Sequence, residues 1–493
     1  MPISFNKVAV NLRTPGVFTE YDSSQATGGP GIQPYLGLII GQKLAAGTQA
    51  ALTPIRITSA AKAKVLFGEG SILHRQAVGW FAENKLTEVW AVAFDDPAGS
   101  AAATGNIVFT GPATATGTLS LYIGGTRIQT GVTSGDSATE IAAAVVAAIA
   151  LVSDLPVTAA VDGSDDTQVN FTARNKGTLG NDIDLRFNYF DSEETPAGVG
   201  FTITAMNGGT GVPDFSTLWA AIGDEHYNIW AMPYTDSASL AAVENELEDR
   251  ADPGRQIEAI AFAAMVDTHS NLGTFGDAQN SPFISVFNPG GNESPTPAFE
   301  MGASYAAIEA EQLAIDPARP TQTLELSHIK APAIENRFTQ AEQNLLLFDG
   351  ISTGIVDASG NVRIQRAITL YKENAVGADD TAYLDVNTPA TLSYIRWSVR
   401  NRLMLKYPRH KLANDGTKFG QGQAIMTPKV MKAELVSLFS QWEFRGLVEG
   451  ADQFADDLIV ERNVDDRNRL DILLPPDLVN QLRIIAIQIQ FRL

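Results

Sequence analysis

The chain has 493 residues, 44% hydrophobic and 18% charged, the balance of a folded protein large enough for several domains. A formal net charge of −21 argues against nucleic acid as the main partner. The absence of cysteine excludes a disulfide framework and thiolate chemistry, and fits folding in a reducing compartment.

Residues 1–22 read as an extended arm, interrupted by Pro2 and a Pro15-Gly16 turn, with strand propensity from Val17 to Tyr21. No apolar core of a secretory signal is present there. The longest apolar run, 141–152, is too short to span a bilayer. A glycine-rich break follows the arm at 27–31. From residue 36, strands apolar on both faces alternate with helices. Strands are predicted over 36–40, 88–94, 228–232, 257–264 and 283–287. Helices are predicted over 58–67, 71–84, 239–250 and 297–315. The pattern predicts an α/β core with a parallel sheet covered on both sides, over 23–96 and 212–349.

The interruption at 97–211 lies between turn-rich linkers at 95–100 and 207–211. It predicts short strands over 107–110, 118–123, 157–161, 168–173, 183–188 and 201–205. One helix, opened by the capping-box pair Ser137 and Glu140, separates them. With 4 basic and 11 acidic residues, this stretch reads as an acidic, solvent-facing, β-rich domain inserted into the core.

From 350 to 480 the pattern becomes α+β. A hairpin over 355–364 turns at 358–361. Thr388-Pro389 and Thr427-Pro428 each signal a helix start. The second helix carries an apolar stripe of Met431, Leu435, Leu438, Phe439 and Trp442. Between 386 and 432 nine basic residues accompany one acid, Asp415. Six of them, Arg396, Arg400, Arg402, Lys406, Lys429 and Lys432, are candidate contacts for an acidic partner, a solvated helix face being the plainer alternative.

The last segment, 481–493, alternates with period two. Ile485, Ile487, Ile489, Phe491 and Leu493 share one apolar face. Burying such a face is worth on the order of 10 kcal/mol gross, an upper bound. The segment therefore needs a sheet to join, either that of its own domain or that of a neighbour.

Motifs for chemistry are missing. None of the five histidines forms an i, i+4 metal pair, and the glycines at 28, 29 and 31 lack the Lys-Ser/Thr of a phosphate loop. Asp452, Asp456, Asp457, Asp465 and Asp466 fit no EF-hand spacing.

Several stretches resemble a known family. The run from Asn463 through Pro475-Pro476 to Arg483, leading into IIAIQIQFRL, is similar to the end of Mu-like contractile phage tail sheath proteins. Further similar stretches are Phe348 to Gly354, Arg366 to Tyr371, Tyr383 to Val386, and Thr391 to Arg396. Pro15-Gly16-Val17-Phe18 resembles the Pro-Gly-Val-aromatic start found widely in sheath proteins. The resemblance implies a core of subtilisin-like topology with no enzymatic role and no cofactor. It implies a subunit that polymerises as six-fold rings stacked helically around a tail tube, and contracts to drive the tube through the host envelope. The implied partners are further copies of the chain, the tail tube protein, the baseplate and the tail terminator, with no nucleic acid and no direct membrane insertion. The implied location is the virion tail, after assembly in the host cytoplasm.

On this reading Pro15, Gly16, Val17, Phe18, Ile485, Ile487, Ile489, Phe491 and Leu493 belong to arms that join subunits. Hinges fall at 22–31 and from Pro475-Pro476 onward, and the six basic residues face the tube. The alternatives are a sheath of a non-viral contractile injection system of bacteriocin type, or a serine hydrolase on the α/β core.

Overall fold

A computed structural model describes residues 33–420 and 422–492. The chain divides into two compact units. The first contains Pro34–Ser393 together with Asn480–Leu493, and the second contains Tyr394–Val479.

The first unit is built on a nine-stranded sheet. Its central strands are Glu88–Phe94, Leu36–Gln42, Ile229–Ala231, Ile260–Ala264, Ile284–Asn288 and Ile351–Val356, all parallel to their neighbours in that order. Antiparallel strands close both edges: Ile55–Ile57 beside Glu88–Phe94, and Asn361–Arg366 followed by Glu325–Lys330 beside Ile351–Val356. Ile229–Ala231, Ile260–Ala264 and Ile284–Asn288 are buried along their whole length, as strands covered on both faces must be. One face packs under the helices Ala60–Phe67, Ile72–Glu83 and Ala298–Ile315, around Phe67, Trp80, Phe262, Phe287 and Tyr305. The Ala298–Ile315 helix approaches the sheet so closely that a Cβ on Gly302 would sit 3.2 Å from the Ala263 backbone.

Local signals account for the helix starts. Ser59 and Ser71 cap their helices through side-chain oxygens that accept from Lys62 and His74 backbone N–H groups. The Ser137/Glu140 capping box forms as the sequence predicts and opens Ala138–Ala150.

The inserted stretch folds into two small antiparallel sheets. One orders Gly200–Asn207, Thr104–Thr110, Gln168–Ala173 and Val157–Val161; the other orders Thr126–Val132, Gly117–Ile123 and Leu185–Phe187. Its core is continuous with the second face of the main sheet, from Leu38, Phe94 and Trp230 through to Phe109, Ile123 and Phe171.

Polar contacts fix the insertion further. Asn175 donates to Lys43 O (2.9 Å) and Asp96 Oδ1 (2.8 Å), while its own Oδ1 accepts from Ile72 N. Buried Arg75 donates to both Glu300 oxygens (2.7 and 3.0 Å) and to Thr126 Oγ1 of the insertion (3.3 Å). Burial pushes the Glu300 carboxyl up, but Arg75 and His328 outweigh it and hold it below the usual range.

One expected boundary moves. The hairpin placed at the start of the C-terminal domain lies in the main sheet, so 350–393 belong to the α/β unit and the second unit begins at Tyr394. The reason is that a hairpin's own residues specify its turn, whereas the sheet it joins is decided by long-range pairing.

Candidate assembly interface

The second unit carries little sheet of its own. Two helical segments form its frame: the Asn387–Lys406 helix from Tyr394 onward, and Pro428–Phe444. Thr427 caps the latter by accepting from Val430 N, with Pro428 in the first turn. Met431, Leu435, Leu438, Phe439 and Trp442 are all buried, and Trp442 Nε1 donates to Ser398 Oγ at 2.9 Å. Phe439 stacks on Phe454 with ring centroids 4.0 Å apart.

Against this frame lie two short antiparallel pairs, Ile459–Arg462 with Leu470–Leu473, and Val448–Glu449 with Asp477–Leu478. Among the described residues each pair has only its two strands. Ile459 and Leu473, partners in the longer pair, are both exposed. A two-stranded sheet is marginal in water and presents unpaired backbone groups at its edges.

Side-chain contacts within the unit engage Arg402, Lys406 and Lys432. Arg402 Nε and Lys406 Nζ both donate to Glu434 Oε1 (2.7 and 2.8 Å), and Tyr407 Oη donates to Glu434 Oε2 (2.6 Å). Burial pushes Glu434 up, but the hydrogen bonds from Lys406, Tyr407 and Arg402 outweigh it and bring its pKa down to about 2. Lys432 Nζ donates to Leu458 O at 2.8 Å. Arg402, Lys406 and Lys432 therefore serve contacts inside the unit. Arg396, Arg400 and Lys429 are exposed.

The C-terminal segment is apolar and uncovered. Residues 480–492 have no secondary structure, and Ile484, Ile485, Ile487, Ile489 and Phe491 are 71–83% exposed. The strand the sequence predicts over 481–493 is thus not formed in the isolated chain, because its backbone has no partner strand. Pro15, Gly16, Val17, Phe18 and Leu493 lie outside the described residues.

The root of this segment holds residues that sequence reasoning did not assign. Arg483 Nη2 donates to Asp385 Oδ1 (2.8 Å) and Asn387 Oδ1 (3.2 Å), and Arg366 holds the same Asp385 through both its oxygens at 3.0 Å. All three charged residues fall in stretches quoted above for their family resemblance. That was the available signal, but their spacing gives no hint of a shared position.

Four of the five histidines serve structural contacts. His74 Nδ1 accepts from Gly70 N (3.1 Å), and burial holds this ring below the usual histidine range. His226 and His269 bond to the carbonyls of Glu258 and Glu342, and His328 pairs with Glu300 at 2.6 Å. A cavity of about 610 Å³ opens beyond the C-terminal ends of Ile229–Ala231 and Ile260–Ala264, where open α/β sheets often bind ligands. Its described lining includes Asp182, Asp184, Asp236, Asp267 and Glu293 with Arg186, and contains no histidine. Among the described residues no group of three His, Cys, Asp or Glu is placed to hold a metal, and no helix is long and apolar enough to cross a membrane.

Family comparison defines the class. Residues 208–370 match the phage tail sheath protein central domain, and residues 378–492 match the phage tail sheath C-terminal domain. The Mu-like prophage FluMu tail sheath protein of Haemophilus influenzae is 42% identical over 491 residues, covering 100% of both chains. The chain belongs to the phage tail sheath family, and the Mu-like resemblance of its C-terminal third holds along the whole length.

A chain in the cryo-EM structure of the anti-feeding prophage baseplate in its contracted state shares the fold. It has a TM-score of 0.50 and 14% identity, with 98% of this chain and 99% of that one covered. The sheath tail protein Lin1278 of Listeria innocua gives a TM-score of 0.49 at 13% identity, with 93% of this chain and 94% of that one covered.

Proposed function

We propose that this chain is the repeating subunit of a contractile tail sheath. It assembles in the host cytoplasm as six-fold rings stacked around a tail tube, and contracts between baseplate and terminator to drive the tube through the host envelope. Its core has subtilisin-like topology and works as a scaffold, with no catalytic part.

The observation that carries this reading is the exposed face of Ile485, Ile487, Ile489 and Phe491. A monomer that leaves this much period-two apolar surface in water has a strand to donate, and the two-stranded pairs of a neighbour's second unit offer edges to receive it. A donated strand makes a contact that does not close on itself, the requirement for an open helical polymer. The N-terminal arm around Pro15–Phe18 is assigned the same joining role. Arg396, Arg400 and Lys429 face the tube, while Arg402, Lys406 and Lys432 are retained within the subunit.

Deleting residues 485–493 tests the reading. The expected product is a folded, monodisperse monomer that forms no tubes in negative stain. Tubes like those of the full chain would overturn the donated arm. A non-viral injection system of bacteriocin type would use the same assembly physics. Capsid and packaging genes beside this one mark a virion, and their absence marks the other.

A further inference from the structure

We propose that Arg483 is a positioning residue, the anchor that fixes where and in which direction the C-terminal arm leaves its own subunit. The anchor is a geometric property of the single chain; its consequence for tube formation rests on the donated-arm reading above.

Arg483 enters a site whose acceptors are already held in place. Arg366 grips the Asp385 carboxylate through two 3.0 Å bonds, which fixes the oxygen facing Arg483. Fully buried Asn387 donates through Nδ2 to the Pro317 and Arg319 carbonyls, 2.9 Å each, which turns its Oδ1 toward Arg483. Gln322 Oε1 accepts from Nη1 at 3.4 Å. The planar fork of an arginine matches such a fixed set of acceptors better than a flexible ammonium does.

Two buried polar atoms nearby have no hydrogen-bond partner: Nε of Arg483 itself, and Oε2 of Glu309. Glu309 is fully buried, accepts from Thr321 Oγ1 at 2.7 Å, and feels the Arg483 charge. The site therefore holds a second acidic side chain on which the arginine acts at longer range.

Arg483 is tucked in between exposed neighbours, with Leu482 67% exposed on one side. The Arg483 side chain is 13% exposed, whereas Ile484 is 82% exposed and every described apolar side chain beyond it is in water. Sequence reasoning places the hinge from Pro475-Pro476 onward, a stretch that runs past the anchor. The hinge therefore moves to 484, and residues 485–493 beyond it span about 30 Å when extended. Fixing the root reduces the volume the arm's tip explores, which raises its effective concentration at a receiving edge set at one distance and direction.

The cysteine-free sequence permits a direct test. Spin labels at Ile485→Cys and at exposed Leu345→Cys on the Gln340–Phe348 helix report the distance from the arm's root to its own subunit, in a full-length chain kept monomeric. The native Arg483 chain should give a narrow distance distribution. Arg483→Ala should at least double its width while leaving circular dichroism unchanged, and unlabelled Arg483→Ala should form fewer and less regular tubes. Arg483→Lys, which keeps the charge and loses the fork, should fall between; it carries the test if the alanine variant does not fold.

An unchanged distribution in the substituted chain would overturn the anchor. Tubes from Arg483→Ala equal in yield and order to those of the native chain would overturn its positioning role. If the native chain itself forms no tubes, the donated-arm reading fails, and the distance measurement still decides the anchor.

Discussion

Glu309 is a carboxylic acid with no room to ionise cheaply. It sits fully buried on the Ala298–Ile315 helix, and burial pushes its pKa from 4.5 to about 7, against opposing contributions from Thr321 and Arg483. The folded chain thus keeps this proton to higher pH than the unfolded chain does. Its contribution is fully present below pH 4.5 and is lost as pH rises through 7, a change of about 3 kcal/mol.

Urea unfolding of the native chain and of Glu309→Gln, at pH 5 and pH 8, isolates the effect from the histidines. The native chain should lose about 3 kcal/mol more than the variant across that interval. Little of this was legible in the sequence, where Glu309 is one acid in a helix rich in alanine and glutamate. The basic candidates show the same limit. Asp415 is the only acid from 386 to 432, yet Glu434, two residues outside that window, engages both Arg402 and Lys406. Counting charge in a window misses partners that the fold brings across from another helix.

At the scale of elements, strands with a clear apolar pattern were readable and those without one were not. Glu88–Phe94, Val157–Val161 and Gln168–Ala173 fall where their residues predict. Glu325–Lys330 was missed because only Leu326 and Ile329 are buried, three apart, which breaks the period of two. Thr126–Val132 was missed because its inward face includes a threonine between Ile128 and Val132.

The C-terminal segment is the opposite case: its period of two is plain, yet residues 480–492 form no strand in the single chain. Its two faces should behave differently. Ile487→Asp places a charge on the apolar face and should abolish tubes. Gln488→Asp, one residue on and on the opposite face, should leave them intact. Sedimentation of the two variants at equal concentration checks this, and equal loss in both would contradict a one-sided strand.

The whole molecule separates its charge. A chain of net −21 exposes Arg396, Arg400 and Lys429 in its C-terminal unit, while residues 97–211 carry 4 basic and 11 acidic residues. Exposed charge contacts are worth about 0–1 kcal/mol each and weaken with salt. Arg400→Glu with Lys429→Glu should therefore reduce sheath–tube co-assembly at 0.1 M salt, and the difference from the native chain should shrink at higher salt. Co-assembly that ignores both the substitutions and the salt would remove this face from the tube. Lys406 is a poor choice for such a test, since reversing it sets two carboxylates against each other at Glu434.

The shared carboxylate of Asp385 has a mechanical consequence. A pull on the C-terminal segment reaches Arg483 first, passes through Asp385 to Arg366, and so arrives on the Asn361–Arg366 strand. That strand is laced on both sides, to Ile351–Val356 and to Glu325–Lys330. Tension on the tail is therefore shared between the rim of a nine-stranded sheet, where many backbone bonds carry the load, and the Asn387 contact at the start of a helix.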